Sequence, residues 1–265
     1  MTGVEEAVVV VGADTFIGAR VATRLAARGA QVVGVAHSRP GDRPSPSPVE
    51  GGNPVGEDGP GGGVVVVDVE GDGPDAVLAA VAAGVGDRRV AAVVHAEIDP
   101  GSCSEARLAD LTPQVWRERC AVPIDRALWT ARAAFELMAT GDDRSGRGGV
   151  LGFVCPSVAL TGAAGHVALA TTSEAIRLLA KSAARRWGRF GITSNAFAPS
   201  LDACRPPATA DGAGAGLQVH ATALALDEVD PADDIAALLL HLASPTGARL
   251  TGATFGTDAG DLMAP

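Results

Sequence analysis

Ser157, His95, Glu97 and His166 are the residues of this chain whose types suit chemistry. A buried serine hydroxyl can polarise a carbonyl, and a histidine beside a carboxylate can move protons near neutral pH. His95 and Glu97 stand two residues apart at the end of an apolar run, and strand alternation turns both to one face. That pair is open to two readings: an acid/base couple, or a structural His–Glu hydrogen bond filling a pocket. His166 precedes a long helical pattern, where it either reaches a cleft or caps an exposed helix start. Just as informative is what the chain lacks, since its 265 residues include no tyrosine and Lys181 is the single lysine. The four cysteines, Cys103, Cys120, Cys155 and Cys204, form no C-x-x-C pair. They carry no metal or redox pattern and read as small buried hydrophobes.

These residues must be held by a scaffold, and hydrophobic periodicity outlines it. Residues 7–11 are a β-branched run ended by Gly12, residues 16–29 repeat apolar side chains at helical spacing, and residues 32–36 form a second apolar run. Together they make one βαβ unit. Strands are predicted at 64–68, 90–95, 150–154, 193–198 and 254–258, and helices at 74–85, 112–140, 167–189 and 233–243. Thr112-Pro113 supplies the N-cap and first-turn proline of the 112–140 helix, which also contains Pro123. Nearly continuous apolar strands alternating with helices predict an α/β fold: one Rossmann-like, doubly wound parallel sheet covered on both faces, forming a single domain over residues 1–265. Two segments break the alternation. Residues 38–63, dense in proline and glycine, read as a mobile insertion, and residues 201–216 as a lid-like loop.

Composition narrows the function classes. A formal charge of -10 lacks the positive footprint of a nucleic-acid or anionic-membrane binder. The acidic N-terminus has neither the basic flank nor the apolar length of a signal peptide, and no stretch approaches a membrane span, so a cytoplasmic protein is expected. Aromatics are only 3% of residues, so the core must be built from Ala, Val and Leu.

Seven marks in order carry a family resemblance: 12-GADTFIG-18, Asp68-Val69, His95-Ala96-Glu97, Ser157, 192-ITSNAFAP-199, 242-LAS-244 and 258-DAG-260. Over essentially its whole length the chain resembles the short-chain dehydrogenase/reductase family. The resemblance implies an NAD(P)-dependent hydride transfer in which a tyrosine exchanges the proton. A lysine one turn on lowers the tyrosine pKa, a serine orients the substrate carbonyl, and an asparagine supports a water relay. Ser157 takes the serine position. The tyrosine position falls on Leu169 and the lysine position on Ser173, or on Ala170 and Glu174 with a shift of one; the asparagine position falls on Pro123. None of these offers a general acid near neutrality. Lys181, eight residues along the helix, lies about 12 Å away and cannot substitute.

The resemblance likewise implies a dinucleotide site. Gly12 makes the tight turn and Gly18 the close helix–strand contact, and Thr15, Phe16 and Ile17 between them complete the cofactor loop that the resemblance implies. The family's intervening glycine is replaced by Phe16, or by Thr15 in its other spacing. No acid follows the second strand; His37, Ser38 and Arg39 stand there, so NADP is favoured over NAD. Asp68 and Val69 match the adenine contact, and Ala96 and Pro199 lie at the strand ends that would flank the cofactor. The family's Asn-Ala-Gly is His95-Ala96-Glu97. No metal is expected.

Three functions remain open. The first is a non-catalytic member, a scaffold or partner subunit assembling with copies or active relatives through the Trp116 helix and the 167–189 helix, or a binder of a small apolar ligand. The second is an NADPH-dependent ketoreductase whose proton comes from substrate or water, with Ser157 and His95 or His166 polarising the carbonyl. The third is a non-redox cyclase or dehydratase.

Overall fold

A computed structural model describes residues 6–37, 62–139, 148–206, 225–226 and 230–263. Seven strands form one all-parallel sheet: β1 (Glu6–Val11), β2 (Gln31–Ala36), β3 (Val64–Asp68), β4 (Arg89–His95), β5 (Gly149–Val154), β6 (Ile192–Pro199) and β7 (Thr254–Thr257). Their order is β3-β2-β1-β4-β5-β6-β7. Helices α1 (Phe16–Ala27) and α7 (Pro231–Ala243) cover one face, and α2 (Pro74–Val85), α4 (Val122–Met138) and α6 (Val167–Trp187) the other. Two short helices, α3 (Pro113–Trp116) and α5 (Val158–Thr161), complete the regular elements the site uses. Because the central strands are buried on both faces, their runs are valine and alanine rather than alternating polar residues.

The chain reverses direction across the sheet between β1 and β4. From β1 the strands proceed outward to β2 and β3; from β4 they proceed the other way. In such sheets that reversal opens a crevice at the strand C-termini, the usual place for a ligand. A salt-bridge clamp holds the α1/α7 layer there: Asp230, the N-cap of α7, accepts from both Arg20 and Arg24 of α1.

Three expectations are corrected. The predicted 112–140 helix is not continuous: α3 and α4 are joined by a π-helical turn, Arg117–Ala121, in which the Val122 N–H reaches back five residues to Arg117 O. Pro123 has no N–H for the carbonyl of Arg119 four residues before it. That carbonyl accepts instead from the Thr172 hydroxyl of α6 at 3.0 Å, which ties the two helices together at the break. Among the described residues the sheet is not covered throughout, since Val65 and Val66 on edge strand β3 are 50% and 46% exposed. The 167–189 helix ends at Trp187, with Gly188–Phe190 as a 3-10 turn. Ser38 and Arg39, nearly all of the 38–63 segment and residues 207–216 of the lid-like loop lie outside the described residues. No helix among the described residues is long and apolar enough to cross a membrane.

Candidate functional site

At the C-terminal ends of β1, β2 and β4 the structure assembles a compact polar cluster. Gly12 closes β1 with φ at +86°, and its N–H bonds to Val35 O of β2 at 2.9 Å. Thr15 is the N-cap of α1: its Oγ1 accepts from the Gly18 N–H and lies 2.8 Å from Gly12 O and 2.9 Å from Ala96 O, one of which takes its proton. The residue thus fastens the β1 turn to the end of β4. Phe16, the first residue of α1, turns its ring under the Arg20 guanidinium, 5.5 Å from the ring centroid. Ile17 is fully buried. Gly18 is obligatory where it stands, because a Cβ there would lie 2.0 Å from the Gly12 carbonyl oxygen.

Glu97 lies directly over this turn. A Cβ on Gly12 would come within 2.5 Å of the Glu97 Cα. The Glu97 carboxylate reaches in two directions, to the Arg126 guanidinium on α4 and to His37 Nδ1, 3.0 Å away at the end of β2. His37 is itself held by its backbone N–H, which donates to Asp14 Oδ2 at 3.2 Å. One turn further along α4, Thr130 faces His95: His95 Nδ1 lies 3.0 Å from Thr130 Oγ1, whose hydroxyl also lies 3.0 Å from Arg126 O. His95 ends β4 and Glu97 follows it two residues on, and both meet α4, where residues 126 and 130 share one helix face. When Thr130 donates to Arg126 O, His95 must donate from Nδ1, which leaves Nε2 as a buried lone pair without a partner among the described residues.

Electrostatics fix the charge states. Burial would push the Glu97 carboxyl up, but the contact with His37 and the charges of His37, His95 and Arg126 outweigh it and pull the pKa from 4.5 to about 2. Burial does the opposite for His95, whose pKa falls from 6.5 to about 4, with His37 and Arg126 adding to the shift and Glu97 opposing it. At neutral pH the cluster therefore holds an ionised Glu97, a cationic Arg126 and a neutral His95. A histidine whose folded pKa is depressed contributes stability that is complete above pH 6.5 and lost as pH falls towards about 4. Urea unfolding from pH 7.5 to 4 is expected to show that decline, and His95→Gln, which keeps a polar contact to Thr130 without titrating, to flatten it. Equal slopes in the two proteins would refute the assignment.

The second group of predicted residues lies around the ends of β5 and β6. Ser157 is buried at the start of α5, and its N–H donates to Pro199 O at the end of β6. Leu169 is buried in an apolar cluster with Ile98, Cys103, Val158, Leu201 and Cys204, residues that follow β4, β5 and β6. Ser173 is also buried, and Glu174 is engaged by Arg177. His166 is not the exposed helix-start residue expected: it is buried beside Leu169, Ser102 and Arg119 around a gap too small for water. Burial lowers its pKa. Burial also raises the Cys103 thiol to about 11 and those of Cys155 and Cys204 further, so all three stay protonated. Asp68 is exposed at the end of β3, and Val69 bonds back to Ala36 O. A cavity of about 560 Å³ lies away from this cluster, at the N-terminal ends of the strands, between Val8, Arg89, Thr193 and Leu242. No group of three metal-ligating side chains occurs among the described residues.

Sequence reading therefore singled out His37, His95 and Glu97 but not their partners Arg126, Thr130 and Asp14, and it paired His95 with Glu97 where each has a different partner.

The residues at the crevice do not fit a dinucleotide as they stand. Its pyrophosphate is held over the first turn and helix N-terminus in this fold, and its ribose at the end of the second strand. Here the Glu97 backbone covers Gly12, and the Glu97–His37 pair bridges the strands on either side of β1.

Residues 12–261 match the family model described as enoyl-(acyl carrier protein) reductase. Among solved structures, a dehydrogenase/reductase from Sinorhizobium meliloti 1021 is 24% identical, with a TM-score of 0.71 over 98% of this chain and 96% of that one. A short-chain type dehydrogenase/reductase from Mycobacterium ulcerans is 19% identical, with a TM-score of 0.73 over 98% and 91%. A blue fluorescent protein from a metagenomic library, in complex with NADPH, is 20% identical, with a TM-score of 0.68 over 97% and 98%. At such identities the structural likeness speaks for the fold.

Proposed function

The chain belongs to the short-chain dehydrogenase/reductase family, and we propose that within it this protein does not carry out tyrosine-dependent hydride transfer but serves as a non-catalytic subunit or scaffold. The observation that carries this reading is the missing phenol: no tyrosine occurs in the chain, and the two positions that could hold it, Leu169 and Ala170, are both apolar and buried. A proton donor must lie within hydrogen-bond reach of the reacting oxygen with a suitable pKa. Leu169 and Ser173, both buried, and the partly exposed Pro123 supply neither.

Assembly is what the retained surfaces suit. Trp116 on α3, Val122 and Leu128 on α4 and Leu178 on α6 are exposed apolar side chains on neighbouring helices. These are the helices through which the family resemblance implies subunit pairing, with a copy of this chain or with a tyrosine-bearing relative.

The test is turnover. Protein incubated with millimolar NADPH or NADH and a panel of ketones, aldehydes and enones is expected to consume cofactor no faster than buffer. Turnover that Ser157→Ala abolishes would overturn the reading in favour of a reductase drawing its proton from substrate or water. Co-purification with a tyrosine-bearing family member supports the partner role; a homo-tetramer that never exchanges subunits with one weakens it.

A further inference from the structure

The geometry points to Glu97 as a built-in stopper of the family's dinucleotide trench, an internal carboxylate occupying the ground that a cofactor's ribose and phosphates would need. This rests on the family placement but not on the missing tyrosine.

Three observations converge on it. The first is proximity: the Glu97 Cα and Cβ lie 2.5 and 2.8 Å from where a Cβ on Gly12 would be, so the Glu97 peptide and side chain pack directly against the turn that follows β1. The second is span. From the end of β4 the carboxylate reaches His37 at the end of β2, passing over β1 between them, and is held from α4 by Arg126. The third is charge. A phosphate would meet an anion at close range, while the cationic side chain that could attract it, Arg126, is already engaged. The side chain of Glu97 is only 10% exposed and that of His37 only 6%, so the bridge is part of the packed interior rather than a surface pair that swings aside.

Substituting the stopper separates volume from charge. Glu97→Gly removes both, Glu97→Gln keeps the bulk and removes the charge, and Glu97→Gly with Arg126→Leu removes the bridge without leaving the guanidinium unmatched. Calorimetric titration with NADPH, on proteins whose folding is checked by thermal unfolding, is expected to find no saturable binding by wild type up to about 1 mM. Either glycine variant should bind at least about tenfold tighter than wild type, with the glutamine variant gaining less than the glycine ones. Folded glycine variants that bind no better than wild type would overturn the stopper and leave the proposed function standing, since that rests on Leu169 and turnover. Wild type that binds NADPH at micromolar levels overturns the stopper whether or not the variants fold.

Discussion

Arg126→Leu is expected to lower the free energy of unfolding by about 3 kcal/mol, more than Glu97→Gln does, although arginine is the more exposed partner. The asymmetry follows from what each change leaves behind. Without Arg126, the Glu97 carboxylate stays in the interior with only His37 beside it, and removing one partner of a buried pair costs about 3–5 kcal/mol. Because the Arg126 side chain is 30% exposed, the lower end applies. Without the Glu97 charge, Arg126 can turn its guanidinium to solvent. Replacing both together leaves no unmatched charge, so Glu97→Gln/Arg126→Leu should recover at least half of the single-variant loss.

The same change moves the acid limit. The folded Glu97 pKa lies below the free value, so its stabilisation is present above pH 4.5 and lost as pH falls through about 2. Taking Arg126 away brings the folded pKa up, and the loss begins at higher pH. Urea titrations of the three variants at pH 7 and pH 4 check both statements. Additive losses in the double variant, or an Arg126→Leu protein as stable as wild type, would show that the pair is uncoupled.

Gly18→Val is expected to abolish the folded state. The new Cβ would lie 2.0 Å from Gly12 O and 2.8 Å from Gly12 C, backbone atoms pinned by the β1–β2 ladder and by Thr15. No side-chain rotation relieves such a clash, so α1 would have to leave β1 and give up the burial of Ile17, Val21 and Leu25. A loss above about 4 kcal/mol is a large fraction of a typical domain's stability. Gly29→Ala provides the contrast. Its Cβ would meet open space, and only the positive φ of +87° is unfavourable, at about 1 kcal/mol. Circular dichroism and soluble yield separate the two outcomes, and a Gly18→Val protein melting within a few degrees of wild type would refute the packing argument.

The framework was legible because its signals are local. Valine runs ending at Gly12 and His95 mark strands to within a residue, and Pro74 and Gly86 bracket α2 where glycine and proline punctuation placed it. The site was legible only by type. Alternation correctly turned His95 and Glu97 to one face, but which partner each meets depends on the packing of α4 on β4 and of β2 on β1, and no spacing along the chain encodes that. His166 illustrates the same limit: its position at a helix start suggested solvent, whereas the segment following β4 folds back over it and buries it. The break in the 112–140 helix carried a visible cause in Pro123, yet its compensation came from Thr172, far away in sequence.

That compensation bears on redesign. At Pro123 the Arg119 carbonyl accepts from Thr172, so an asparagine placed at 123 would present an N–H to a carbonyl that already has a donor from another helix. Leu169 is likewise part of the core, and a phenol there would need space filled by its neighbours. Each of these positions already has a structural occupation of its own, so placing the family's catalytic residues there is a series of individually unfavourable steps. Building that set into this chain would require several simultaneous changes, because the packing resists each one taken alone.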